Sequence, residues 1–178
     1  MPHVHESSFE PAPFLVENAG LLPKGRVLDV AMRNGRNAIY LARMGFEVEG
    51  VDVSAEAIGQ ALIAAQEAGV SIKAVVADLE KDYHIPQNTY EVIICFNYLQ
   101  RSLIPAMKQG VKPGGIVVYE TFLIDQAQWG KPKNPDFLLK HNELLDLFHD
   151  CRVLRYREGI FENKGDRRAI ASIVAQKV

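Results

Sequence analysis

The stretch VLDVAMRNGRNAIYLA, Val27 to Ala42, decides how the rest of the chain is read. It begins as the end of a buried strand, passes through a short loop and becomes the first turns of a helix. The loop carries Asp29, Ala31, Arg33 and Gly35 at alternate positions. An acidic residue followed by three glycines at this spacing would make a nucleotide-binding turn, and only the last glycine is present. Two questions follow: whether the loop still receives a nucleotide-like cofactor, and what Arg33 does where bare backbone is expected.

The segments on either side repeat the strand-then-helix pattern. RVLDVA is a strand, and Arg36 to Met44 reads as a helix that Gly45 ends in a left-handed conformation. FEVEGVDV alternates as a second strand and stops at Asp52. Ser54 caps the next helix, whose Ala57, Ile58, Ala61, Leu62 and Ala65 form an apolar stripe before Gly69. SIKAVVAD is a third strand. Val92 to Phe96 is apolar without alternation, as a central parallel strand covered on both faces should be. A helix over about 100–109 leads to the turn KPGG and a fifth strand, IVVYETF. After a helix starting near Asn142, strands are expected at Arg152 to Tyr156 and Arg168 to Ala175, the last antiparallel to its predecessor because no helix separates them. The expected fold is α/β: one doubly wound, mostly parallel seven-stranded sheet with a C-terminal antiparallel strand.

Length bounds the organisation. At 178 residues the chain is expected to form a single domain over 1–178, with residues 1–24 as an N-terminal arm or helix. Residues 121–140 are long for a connection in so small a domain and read either as a lid loop or as a surface excursion packed down by Trp129 and Phe137. Twenty basic and twenty-two acidic residues give a net charge of -2, without the global basic surface that grips nucleic acid or an anionic membrane. No apolar run approaches a membrane span, and the N-terminus lacks export signals. Cys95 and Cys151 have no metal or disulfide spacing, so no metal site is expected and a reducing cytoplasm is the expected location. His3 and His5 lie in a Pro-rich terminus that reads as a frayed tail rather than a ligand pair.

In an open parallel sheet, ligands bind beyond the carboxyl ends of the strands. The loop from Ala31 to Asn37 belongs there, where helix amides receive a carboxylate or phosphate. Asp52 ends the second strand, where a carboxylate can accept from both ribose hydroxyls, and Asp78 ends the third, within reach of a base amino group. A nicotinamide cofactor would require GxGxxG, and a Walker-type phosphate loop would require GxxxxGK[ST]; neither motif is present. A cofactor without pyrophosphate needs less bare backbone, and the three acidic strand ends suit the amino-acid end, ribose and adenine of S-adenosylmethionine. Each residue also has a structural reading. Asp29 or Asp78 can cap the following turn, Asp52 can cap the next helix in place of Ser54, and Phe96 fits a core equally well.

VLDVAMRNGRNAIYLARMGFEVEGVDVS, VADLEKDY, YEVIICFNYLQR and VKPGGIVVYETF resemble, in order, class I S-adenosylmethionine-dependent methyltransferases, and particularly the tellurite-resistance methyltransferase group. The resemblance covers roughly Gly25 to Phe122. It implies that Asp29 helps hold the methionine end, that Ala31, Arg33, Gly35 and Asn37 line its approach, and that Asp52 with Val53 holds the ribose. It further implies that Asp78 and Leu79 face the adenine and that Phe96 with Asn97 lies under the sulfonium. Arg33 departs from the pattern: its guanidinium can point outward, turn inward to pair with the cofactor carboxylate, or block the pocket.

Methyl transfer from a sulfonium needs positioning more than acid–base chemistry, so no catalytic residue is dictated. Glu120, at the end of the fifth strand, is the candidate for a polar contact with the acceptor; Tyr98, Arg101, Tyr119 and Trp129 lie nearby in sequence. Arg36, Arg157, Arg167 and Arg168 suit an anionic acceptor or a solvated surface. His141 is expected at a helix entrance. The absence of a separate recognition domain favours a small-molecule substrate, and the family resemblance implies a tellurite- or selenite-like oxyanion. A homodimer stays open, as does a non-catalytic cofactor-binding or scaffold domain with a degenerate loop.

Overall fold

The computed structural model describes residues 9–178; His3 and His5 lie outside that range. The strands are β1 (Arg26–Val30), β2 (Glu47–Asp52), β3 (Lys73–Val76), β4 (Tyr90–Phe96), β5 (Val111–Phe122), β6 (Arg152–Asn163) and β7 (Asp166–Gln176). They form one seven-stranded sheet in the order β3-β2-β1-β4-β5-β7-β6. β1 to β5 pair in parallel, and β7 runs antiparallel to both β5 and β6. The order turns at β1, whose neighbours are β2 and β4, so the crevice beyond the strand ends lies over the β1 loop.

Strand parity assigns the two faces. In β4, Val92, Ile94 and Phe96 pack with Phe14 and Leu15 of α1 (Pro13–Asn18), Leu41 of α2 (Arg36–Arg43) and Ile58 of α3 (Ala55–Glu67). The intervening Ile93 and Cys95 pack on the other face, with Met107 of α4 (Ile104–Gly110) and with Leu144 of α5 (Glu143–Leu147). Both faces are therefore covered, which explains why this strand is apolar without a break from Val92 to Phe96. The N-terminal segment covers the sheet with α1.

Gly35 precedes α2 at φ 80°, and a Cβ there would lie 2.9 Å from that of Ala61, so the surviving glycine of the loop is required by both backbone and α3. Gly45 and Gly69, at φ 90° and 73°, follow α2 and α3 as expected of left-handed helix ends. Ser54 caps α3, its Oγ accepting from the Ala57 amide at 3.1 Å.

The connection from β3 to β4 is irregular, with Asn88 at φ 47°. Several expectations are corrected. The helix expected over 100–109 begins as a 3-10 turn, Arg101–Leu103, because Pro105 can occupy only its first α-helical turn. KPGG does not precede β5 but interrupts it: Tyr90 pairs with Val111 and Val92 with Ile116, so four residues bulge opposite Glu91. β6 and β7 extend to a hairpin at Lys164 and Gly165, both at positive φ.

Residues 121–140 are a folded excursion. Leu139 donates to the Phe122 carbonyl and Ile124 to the Leu139 carbonyl, both at 2.9 Å, closing its base. Arg101 ties it to the body: it donates to the carbonyls of Asp136 and Leu138 and forms a forked pair with Glu143. Among the described residues no helix is long and apolar enough to cross a membrane.

Candidate functional site

The β1 loop is built around Asp52. Its Oδ2 accepts from the Arg33 amide and its Oδ1 from the Ser54 amide, both at 2.9 Å. One carboxylate thus joins the tip of β2 to the loop after β1, and each oxygen retains acceptor capacity. The Asp52 side chain does not replace Ser54 as the cap of α3.

The loop keeps the backbone of the glycines it lacks. Ala31 lies at φ 55° and Arg33 at φ 52°, the region disfavoured for side-chain-bearing residues. A negative φ at Ala31, which would have made its methyl group inexpensive, is therefore not observed. Each position stores about 1–2 kcal/mol of strain that the surrounding hydrogen bonds sustain. Ala31→Gly and Arg33→Gly should each raise stability in urea by about 1 kcal/mol, relieved strain being partly offset by the greater entropy of the unfolded chain. Arg33→Gly should leave affinity for S-adenosylhomocysteine within about tenfold, since the backbone course of the loop is retained.

The Arg33 side chain turns inward. Its Nη2 donates to the Asn97 carbonyl at 3.1 Å, spanning from the β1 loop to the tip of β4. The cleft it crosses remains open, at about 460 Å³, lined by Ala31, Asp52, Val53, Asp78, Leu79 and Asn97 from the ends of β1 to β4. Of the three orientations available to Arg33, blockage of the pocket is the one this geometry disfavours. Ala77 and Glu80, not singled out from the sequence, complete the wall beside Asp78. Asp78 also organises its own turn: its Oδ1 accepts from the Glu80 amide at 2.9 Å.

Asp29 lies below the loop with 3% of its surface exposed. Burial pushes its carboxyl up to about 8, against the opposing influence of Arg36, and the Ala38 amide donates to it. Its Oδ2 is buried without a hydrogen-bond partner. Such an acceptor is expensive to leave unmet, and this one lies beneath the start of α2.

Two expected contacts are elsewhere. Phe96 shares the parity of Val92 and Ile94 and is packed in the core beneath α1 and α2, not in the cleft wall. Asn37 accepts from the Ala12 amide at 2.8 Å and so anchors the N-terminal arm.

Asn97 joins the cleft to a second cavity. Its backbone has φ 58°, its amide donates to the Glu120 carbonyl, and its Oδ1 accepts from Arg168 Nη2 at 2.8 Å. Beyond Arg168 is a cavity of about 320 Å³ in which Arg36, Arg157 and Arg168 stand with the carboxylates of Glu10, Glu120 and Asp166, closed by Pro11 and Pro13 of the arm. Glu120 is 2% exposed; its Oε2 accepts from Ser172 Oγ at 2.5 Å and lies 3.6 Å from Arg157 Nη2. Arg157 is held over the rings of Phe14 and Phe161, and its Nε is buried without a partner. Arg36 is packed close to Arg168 and Arg33, and burial with those like charges lowers its pKa.

The remaining acceptor-side candidates serve the fold. Tyr119 is buried and donates to the Tyr98 carbonyl at 2.6 Å. Arg101 holds the 121–140 excursion as described above. Trp129 is partly exposed under Arg167. His141 stands just before α5, with Nε2 2.7 Å from Asp125 Oδ2, a pairing that raises its pKa.

Residues 27–115 match the Methyltransferase domain family. A ubiquinone biosynthesis O-methyltransferase of Cronobacter sakazakii is 33% identical over 121 residues, 65% of this chain and 50% of that protein. TehB from Haemophilus influenzae superposes with a TM-score of 0.81 at 22% identity, covering 94% of this chain and 62% of that one. An S-adenosylmethionine dependent methyltransferase from Mesorhizobium loti superposes at 0.75 with 18% identity, covering 96% and 100%. The chain spans about half the length of the curated relative it matches, and the two structural likenesses concern the fold.

Proposed function

Since the chain belongs to the methyltransferase domain family and has the class I S-adenosylmethionine-dependent fold, we propose that it transfers a methyl group from S-adenosylmethionine to a small anionic acceptor, a tellurite- or selenite-like oxyanion being the simplest of that class. The observation that carries the cofactor part is the open cleft walled by the acidic strand tips Asp52 and Asp78, with the buried, unpartnered Oδ2 of Asp29 near the end of the adjacent β1 and outside that wall. A ligand ammonium directed below the loop would meet that oxygen, and Arg33, in the cleft wall, is the group of opposite charge for a ligand carboxylate. Asp52, with acceptor capacity left on both oxygens, takes the ribose hydroxyls, and Asp78 with Leu79 takes the adenine.

When bound, S-adenosylmethionine supplies an electrophilic methyl whose C–S bond breaks toward sulfur as the acceptor lone pair attacks, leaving a neutral thioether. The protein's part is placement, because collinear approach at about 3 Å accounts for most of what such a displacement needs. Arg168, fixed through Asn97, is the guanidinium that would meet an anionic acceptor in the second cavity, where Arg157 is already paired with Glu120. An acceptor that is already anionic has no proton to lose, so no general base is required. Glu120, paired with Arg157 and Ser172, keeps the arginine side chains in place rather than taking a proton.

The test is formation of S-adenosylhomocysteine by the purified chain with tellurite and selenite. The reading expects turnover above the acceptor-free rate and a fall of at least tenfold in kcat/KM for Arg168→Ala. Tight cofactor binding without product across a broad acceptor panel would instead favour a non-catalytic cofactor-binding or scaffold domain.

A further inference from the structure

A third cavity, separate from the arginine-lined one, lies under the 121–140 excursion and is the largest of the three at about 740 Å³. Its size falls in the range of pockets that bury a whole organic ligand rather than a bare ion. The walls are mainly apolar and aromatic: Tyr98, Leu99, Phe122, Pro132 and Phe137. Phe137 is half exposed, although it stands at the border between this chamber and the cofactor cleft, in the wall of both. An aromatic ring left open to water between two cavities is a surface suited to stacking against a flat ligand.

The polar groups are unevenly distributed. Lys131 and Lys133 stand on the lid side, and Arg33 stands on the cleft side; against these three cations the wall has one carboxylate, Glu80. Among the described residues neither lysine forms an ion pair. Apolar walls with an excess of positive charge at the rim select a ligand with an apolar body and an anionic substituent. The floor includes Asn97, which also lines the cofactor cleft, so a ligand seated here adjoins the nucleoside site.

We infer that the lid chamber is a binding site for a flat, apolar organic acid, an aromatic carboxylate or sulfonate, held as a methyl acceptor distinct from a bare oxyanion. The inference rests on the methyltransferase reading for the word acceptor, and on the chamber alone for the ligand class. The lid geometry supports it: the excursion is closed at its base by the backbone pairing of Phe122, Ile124 and Leu139 and tied down by Arg101, so the chamber has a fixed roof.

The experiment is calorimetric titration of the full chain with 1-naphthoate and with its neutral counterpart 1-naphthalenemethanol, each with and without saturating S-adenosylhomocysteine. Expected are one saturable naphthoate site that persists with the nucleoside bound, and at least tenfold weaker binding of the alcohol. The exposed-surface variant Lys131→Glu/Lys133→Glu should weaken naphthoate at least tenfold while S-adenosylhomocysteine affinity stays the same. Absence of saturable naphthoate binding, or naphthoate affinity indifferent to the charge reversal, overturns the chamber assignment. Naphthoate binding in a chain that fails to bind S-adenosylhomocysteine overturns the acceptor role and the methyltransferase reading, while leaving the ligand class standing.

Discussion

Asp52→Ala should weaken S-adenosylhomocysteine binding by at least 100-fold, far beyond the effect of Arg33→Gly. Two losses combine. The ribose hydroxyls lose a charged acceptor, and a hydrogen bond to a charged group contributes about 1.5–3 kcal/mol. The Arg33 and Ser54 amides also lose their shared partner, which frees the β1 loop to leave the conformation it holds against the strain at Ala31 and Arg33. The same variant should unfold at lower urea concentration, by about 1–2 kcal/mol, because the amides are part-buried. Titration and urea melts measured on one preparation separate the two effects. If Arg33→Gly proved the more damaging to affinity, the loop would be held by the guanidinium bridge to Asn97 and not by the carboxylate.

Asp29→Asn should change both stability and binding, in opposite senses. The folded-state carboxyl titrates near 8 rather than at its ordinary value of 3.8, burial being the main cause. Between those values the folded chain retains a proton that the unfolded chain releases. The stability it confers is fully present below about pH 3.8 and is lost as pH rises toward 8. The substituted amide cannot ionise, so at pH 8 and above the variant should be the more stable protein, by about 2 kcal/mol once relaxation and water entry moderate the burial penalty. Binding behaves otherwise. If the cofactor ammonium requires the ionised carboxylate, wild-type affinity should rise about tenfold per pH unit from 6 toward 8 and then level off, until the ligand amine itself deprotonates. In Asp29→Asn that slope should vanish and affinity at pH 8 should fall by at least 100-fold. Calorimetry in buffers of different ionisation enthalpy would count the proton released on binding. A wild-type affinity flat from pH 6 to 8 would detach Asp29 from the ligand ammonium.

Much of this site is legible in the sequence because parallel strands end where acidic residues interrupt apolar runs. Asp29, Asp52 and Asp78 fall at three neighbouring tips for that reason. Phe96 shows the limit of the same logic: the end of the strand is legible, but its parity sends the ring beneath α1 and α2. Asn37 presents the same difficulty, since its partner, the Ala12 amide, lies 25 residues away. The positive φ at Ala31, Arg33 and Asn97 has no local signature, as none of these residues is glycine; it is imposed by Asp52 and by the packing of adjacent strand tips. The insertion of β7 between β5 and β6 is equally hidden, because a hairpin pattern says which strands pair but not which of them faces the rest of the sheet.

The arginine-lined cavity is visible in the sequence only as scattered residues. Arg157 and Arg168 come from β6 and β7, which the sheet order sets beside β5 and Glu120, and Arg36 comes from α2 packed on the sheet. Arg167, next in sequence to Arg168, points instead to Trp129 and Glu162, as alternation along β7 requires. The largely apolar chamber under residues 121–140 depends on how they fold back on Phe122, which their Pro- and Lys-rich sequence does not announce.

The most direct test of the cradle is a titration of the full 178-residue chain with S-adenosylmethionine and S-adenosylhomocysteine by calorimetry. Saturable binding of both at one site per chain is the result expected from Asp52 and Asp78 in the wall of an open cleft with Asp29 buried at the neighbouring strand. Failure of both to bind at millimolar concentration would contradict it, and would mean that Arg33 and Ala31 have converted a nucleoside site into a closed turn.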